Sequence, residues 1–427
     1  MRKSRIFLAS AAAVALALSA CTTDDPDDAA DPIDDVAVEA DADADDDEPD
    51  DGDDDDASDD DASDDDERAD DDWFVRADYE RQLAQRDIEP EGPADQPWLQ
   101  AIDPDWTDTS EYANGGDNTL CFSNASVSNP WRVTGWITMQ QQVEVYQDSG
   151  DIGEFRVSDA ADDDNQQISD IQTFIDAGDC DALIVSPSTT ATLTPAVQAA
   201  CDSDVPVIVF DRGVNTDCMV TFIHPIGGYA YGADAAEFLV DSLEPGSTVL
   251  ALRILAGVDV LEHRWAAAQE IFGASELDVL GYEFTGGDGA QIKDTVTQYL
   301  QRGDVDGIWM DAGDGAVAAI EAFEDTGNDY PVIAGEDELS FMRKWQETGL
   351  TGIAPVYSNF QWRTPIEAAV MIWNGEEVPS EWVLPQEPIT EADRDEFLDR
   401  NAEMPSLHYA KFGGEDLPGF PDVWQDR

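Results

Sequence analysis

From Asn118 onward the chain alternates short β-branched, apolar runs with stretches whose apolar residues recur every three or four positions. The runs "TLCFSNA", "GEFRVSDA", "DALIVSP", "VPVIVFD" and "CMVTFIH" read as one series of strands. The runs "STVLALRILAG", "DVLGYEF", "VDGIWMDAG", "YPVIAGED" and "LTGIAPVYS" read as a second. Between them, "QQISDIQTFIDAG" puts Ile168, Ile171, Phe174 and Ile175 on one helical face and offers Gly178 as a stop. Helical patterns of the same kind recur at "GAVAAIEAFEDTG" and "PIEAAVMIWNG". Strands that alternate with helices imply βαβ units and parallel sheets. Two such series predict two open-sheet lobes rather than one closed barrel.

The chain before Asn118 follows other rules. Arg2, Lys3 and Arg5 precede the short apolar core "IFLASAAAVALAL", the pattern of an export signal too short to span a bilayer. The next residues, "LSAC", resemble a bacterial lipobox, which would make Cys21 the lipidated new amino terminus. Residues 22–72 are nearly all Asp, Ala, Ser and Glu, with too few apolar groups to offset the entropy of ordering, and read as a solvated tether. Its Asp runs lack the spacing and terminal Glu of a calcium loop. Residues 73–117 open with the helical pattern "WFVRADYERQLAQRD" and then lose any clear period.

Charge narrows the partners. The full chain has 96 acidic against 21 basic residues; residues 73–427 alone have 66 against 17, and only four lysines occur in all. Such a surface repels phosphate backbones, which excludes nucleic acid as a partner. It suits concentrated salt, where screening relieves self-repulsion. With Cys21 assigned to lipid, Cys121, Cys180, Cys201 and Cys218 remain, an even number for an oxidising compartment. None has zinc-finger spacing, and the three histidines are scattered, so two disulfides are expected and no metal or cofactor. Cys180, Cys201 and Cys218 precede successive strands, which favours Cys201–Cys218 with Cys121–Cys180 over Cys180–Cys201 with Cys121–Cys218.

In open α/β sheets ligands sit outside the carboxyl ends of the strands. Those ends carry "SNPWR" (Asn129, Trp131, Arg132), Ser186, Asp211-Arg212, then Asp259, Glu262 and Arg264, Asp311 and Asp314, Glu336-Asp337, and Tyr357, Asn359 and Gln361. Carboxylates and guanidinium groups bind hydroxyls directionally, and an indole covers the C–H face of a sugar ring. Neither a nucleophile–base constellation nor a Gly-x-Ser-x-Gly elbow occurs, so no catalysis is expected. The cluster "GGDG" at Gly286 reads as a loop.

From about Asn118 to Leu384 the chain resembles the type I periplasmic binding proteins, specifically the ribose/galactose-type sugar-binding components of ABC importers. "SNPW", "LIVSPS", "VPVIVFDRG", "AGVDVLEHRW", "PVIAGED" and "GIAPV" carry the resemblance, in family order. It implies two doubly wound parallel-sheet lobes joined by a three-strand hinge. The lobes would comprise 118–225 with 355–384, and 226–354, flanked by extensions at 73–117 and 385–427. It also implies a monomeric, lipid-anchored protein outside the cell membrane that delivers a monosaccharide or polyol to an ABC permease. By position, Trp131 matches the stacking aromatic, Asn129 a hydroxyl-binding amide, and Asp211 and Arg212 the clamping pair. Arg264 and Asp337 match the second lobe's contacts. Ser186, Asp311 and Asn359 complete the expected set. Three positions depart: Arg132 replaces a second aromatic, a family amide or acid falls near Asp311 or Ala312, and the hinge glutamine falls at Pro355. A sensor-kinase or chemoreceptor module would share this pattern. A repressor of the same fold is excluded by the export signal and the missing basic helix-turn-helix.

Overall fold

The computed structural model describes residues 73–425 apart from Asp314, so the leader, Cys21 and the acidic tether lie outside the described residues. Helix α1 (Arg76–Gln85) and strand β1 (Trp106–Thr107) come first. The first series is β2 (Asn118–Asn124), α2 (Pro130–Ser149), β3 (Ile152–Asp159), α3 (Asp164–Ala177) and β4 (Ala182–Ser186). It continues with α4 (Thr190–Cys201), β5 (Val207–Phe210) and β6 (Thr221–Pro225). The second runs through α5 (Gly228–Ser242), β7 (Thr248–Arg253), α6 (Asp259–Gly273), β8 (Asp278–Phe284) and α7 (Gly289–Leu300). It ends with β9 (Gly307–Met310), α8 (Ala316–Thr326), β10 (Val332–Ala334), α9 (Leu339–Thr348) and β11 (Gly352–Ile353). Helix α10 (Thr364–Asn374) and strands β12 (Val378–Pro379) and β13 (Glu381–Leu384) follow, then α11 (Glu391–Arg400) and α12 (Asp422–Gln425).

Two parallel sheets result, ordered β13-β6-β5-β4-β2-β3 and β11-β10-β9-β7-β8. Strands β4, β5 and β9 are buried along their whole length, as expected of sheets covered by helices on both faces, whereas the edge strands β3 and β8 are largely exposed. On α3, Ile171 is fully buried and Ile168, Phe174 and Ile175 pack around it, and Gly178 ends the helix at φ 62°, where only glycine is unstrained. In each lobe the winding direction reverses at one strand: between β2 and β4 in the first, and between β7 and β9 in the second. That places a crevice beyond Asn124 and Ser186, and another beyond Arg253 and Met310.

Cys121–Cys180 and Cys201–Cys218 are the two disulfides. Cys180, Cys201 and Cys218 stand before β4, β5 and β6, at the end of the sheet away from the crevice.

Three crossovers join the lobes: Ile226–Gly227, the segment from Ala354 to Ser358, and the segment from Pro385 to Ile389. They are laced together. Gln386 accepts from the amide of Gly227 (2.7 Å) and donates to its carbonyl (3.1 Å); the Ser358 hydroxyl donates to Pro385 (2.6 Å). Ala354 and Ile389 form an antiparallel bridge. Gln386 thus supplies a backbone clamp in a crossover other than the one containing Pro355.

Both extensions are part of the core. Gly227 offers no side chain to cap α5, and Gln82 of α1 instead accepts from the amides of Tyr229 (3.0 Å) and Ala230 (3.3 Å). Trp98 packs into the first lobe's core, and β1 pairs with β12. Leu398, Phe412 and Trp424 pack into the second lobe's core, while the Trp424 indole donates to Thr138 of α2 (3.3 Å) and Arg363 holds Asp416. The C-terminal extension therefore touches both lobes.

Candidate binding cleft

The strand-end loops after β2 and β5 build the first lobe's wall. Asn129 caps α2 by accepting from the amide of Arg132 (2.9 Å), and Pro130 preorganises the first turn, so Trp131 and Arg132 sit where that helix begins. Trp131 donates its indole N–H to the Tyr357 carbonyl (3.0 Å) and lies near the rings of Tyr357 and Trp362. Asp211 leaves β5 with φ 72°, a backbone region uncommon for a residue with a side chain. That turn carries its carboxylate to Arg132: Nη2 donates to Oδ2 at 2.7 Å, and both side chains are buried. The Tyr357 hydroxyl donates to the Asp211 carbonyl (3.1 Å), fixing the turn from the hinge side. Arg212 reaches back to donate to the carbonyl of Ser188.

In the second lobe, Arg253 at the end of β7 donates to Glu262 (2.6 Å) and lies 3.5 Å from the Asp311 carboxylate, which in turn accepts from the amide of Ile254 (2.9 Å). Burial pushes the Asp311 carboxyl up to about 7, against the pull of Arg253 and Arg264. Arg264 donates to the Asp311 carbonyl, lies 4.0 Å from Glu336, and stacks 3.8 Å above the Tyr231 ring and 4.9 Å from that of Tyr357. Gly232 makes this possible: a Cβ there would come 2.0 Å from the Arg264 carbonyl, so only glycine lets α5 and α6 approach closely enough.

The two walls meet. Thr190, at the start of α4, donates to Asp259, at the start of α6, at 2.7 Å, joining the lobes across the mouth. Between them lies a cleft of about 260 Å³. A larger cavity of about 820 Å³ lies between the two extensions and the crossovers, beside Trp98, Phe360, Phe397 and Lys411; it contains none of the strand-end residues that the fold directs toward a ligand.

Of the ten expected contact residues, Asn129, Trp131, Arg132, Asp211, Arg212 and Arg264 line the cleft. The other four stand behind it. Ser186 ends β4 inside the sheet, its carbonyl accepting from Gln167 (2.9 Å). Asn359 donates to the Trp131 carbonyl (2.7 Å) and supports that helix start. Asp311 braces the Arg253–Arg264 pair. Asp337 turns to the C-terminal extension, accepting from the amide of Lys411 (2.8 Å), and burial raises its carboxyl to about 6. Its place in the lining is taken by its neighbour Glu336. Glu336 and Tyr357 stand at strand ends and follow from the strand-end rule. Tyr409, which also lines the cleft, comes from the C-terminal extension and has no signal in the sequence. Asp314 lies outside the described residues. Among the described residues, no cluster of His, Cys, Asp or Glu is arranged to hold a metal ion.

Residues 120–377 match the family model described as periplasmic binding protein domain. The chain belongs to the periplasmic binding protein domain family. Among curated relatives, this binding protein is 24% identical to the ribose import binding protein of Bacillus subtilis over 277 residues, 64% of this chain and 88% of that one. Its fold is similar to a solute-binding protein from Bacillus halodurans solved with myo-inositol (TM-score 0.60, 21% identity, 67% of this chain and 99% of that one). It is also similar to the fructose-binding periplasmic domain of a hybrid two-component system (TM-score 0.59, 18% identity, 67% and 95%). In this binding protein the matched segment holds most of the cleft, and Tyr409 stands outside it.

Proposed function

We propose that this protein captures a monosaccharide or related polyol between its lobes outside the cell membrane and delivers it to an ABC permease, anchored through lipid on Cys21. The observation that carries the reading is the cleft where both sheets end, in which an indole, carboxylates and guanidinium groups from two lobes face one monosaccharide-sized space. The ribose import relative and the myo-inositol-bound neighbour support it. Ligand bridging Trp131 and Asp211 on one side and Arg264 on the other would favour the closed arrangement, which the permease would recognise. The tether would let the body reach the permease while the anchor holds it at the membrane. A ligand-presenting module of a sensor kinase is the second reading, favoured by the two-component neighbour; loss of solute uptake on deleting the gene would separate the two.

A thermal-denaturation screen against pentoses, hexoses, inositols and amino acids tests the proposal. A sugar or polyol at a hundred times its Kd should add about 2.7 kcal/mol to stability, and amino acids nothing. Arg212→Ala, at a half-buried position, should lose that gain while its unliganded melt stays near that of the parent. A response confined to amino acids, or full sugar affinity in the variant, would remove the reading or the site respectively.

A further inference from the structure

We infer that the cleft is built for a monosaccharide that carries a carboxylate, a uronate or an aldonate, rather than for a neutral sugar. This rests on the sugar reading above and narrows it. Among the described lining residues, three guanidinium groups (Arg132, Arg212 and Arg264) face two carboxylates (Asp211 and Glu336). That is the reverse of the balance in the body of the chain, whose residues 73–427 contain 66 acidic and 17 basic side chains.

Hydrogen bonding points the same way. The carboxylates already serve protein donors: Asp211 Oδ2 takes Arg132 Nη2 at 2.7 Å, and Glu336 Oε2 takes the Gly313 amide at 3.0 Å and the Tyr409 hydroxyl at 3.5 Å. The guanidinium groups retain capacity. Arg132 Nη1 and Arg264 Nε have no acceptor among protein atoms, although the two side chains are only 3% and 4% exposed. A sugar hydroxyl donates as well as accepts, but an ionised carboxylate only accepts. A buried wall with two unpartnered guanidinium N–H groups therefore has donors to spare for the acid, and a guanidinium fork fits a carboxylate with two parallel bonds. The cleft volume of about 260 Å³ lies just below the range usual for drug-sized ligands, about 300–1,000 Å³, and suits one sugar ring. The protein's overall negative field opposes an anion at long range, but salt screens it beyond about 10 Å at 0.1 M, leaving the contact groups to decide. Asp259, the carboxylate at the mouth, is engaged by Thr190.

The test is calorimetric titration of the full chain with three matched pairs: D-galacturonate and D-galactose, D-glucuronate and D-glucose, D-ribonate and D-ribose. At least one acid should bind about tenfold or more tightly than its neutral partner. The methyl ester of that acid, similar in shape but uncharged, should lose the advantage on the unmodified protein. Arg132→Gln should lower the acid-to-neutral ratio by a similar factor. Neutral sugars that bind as well as every acid, or an ester that binds as well as its acid, would overturn the inference and leave the sugar reading standing. If neither acids, esters nor neutral sugars bind, the sugar reading falls and this inference with it.

Discussion

Asp211 ends an interior strand in a left-handed turn and gives its carboxylate to Arg132, a residue 79 positions earlier. Removing one member of a buried ion pair leaves the other charge without compensation, whereas removing both can be nearly neutral. Asp211→Ala should therefore cost about 3–5 kcal/mol in urea denaturation even without ligand, and Asp211→Ala with Arg132→Met should recover most of it. A cost of the single variant below about 1 kcal/mol would mean the pair does not hold this wall together. The sequence places Asp211 and Arg212 side by side at a strand end, and that much is readable by the strand-end rule alone. It does not reveal that Asp211 pairs with Arg132, because the pairing depends on how the loops after β2 and β5 meet. Asp337 is the opposite case. It sits at the expected strand end, yet its side chain faces away because the extension's backbone at Lys411 offers it a donor.

Elements borrow their ends from one another. Helix α5 follows a glycine and takes its caps from Gln82 of α1 and Gln386 of the third crossover. Gln82→Ala should leave two buried amides without an acceptor and lower stability by about 2 kcal/mol, measured by chemical denaturation; Gln82→Glu, which keeps an acceptor at the helix's positive end, should lose less. An equal loss in both variants would argue that packing, not capping, is at stake. The strand and helix series from Asn118 to Asn374 were readable because interior strands and amphipathic helices impose periods on the chain. Strand β13 and the burial of Trp98, Phe412 and Trp424 were not. Their partners are tertiary surfaces, and no local period marks residues that pack singly against someone else's helix.

The whole molecule carries its negative charge on a body held by few cations. Many of the described arginines are engaged in ion pairs, several of them buried, as at Arg132, Arg253 and Arg363. Self-repulsion among the remaining carboxylates should be relieved by salt, so unfolding free energy should rise between about 0.1 M and about 2 M salt. Equal stability at the two salt concentrations would show that this surface is not tuned to screening. The C-terminal extension has a practical consequence at the same scale. Trp424 reaches Thr138 in one lobe, and Leu398 and Phe412 fill the core of the other. A fragment cut to the family-matched boundaries, 120–377, would lose β13, the clamp at Gln386 and that apolar packing together. Anyone fusing a fluorescent reporter to this scaffold would therefore need to keep the chain through residue 425 and attach the reporter beyond it.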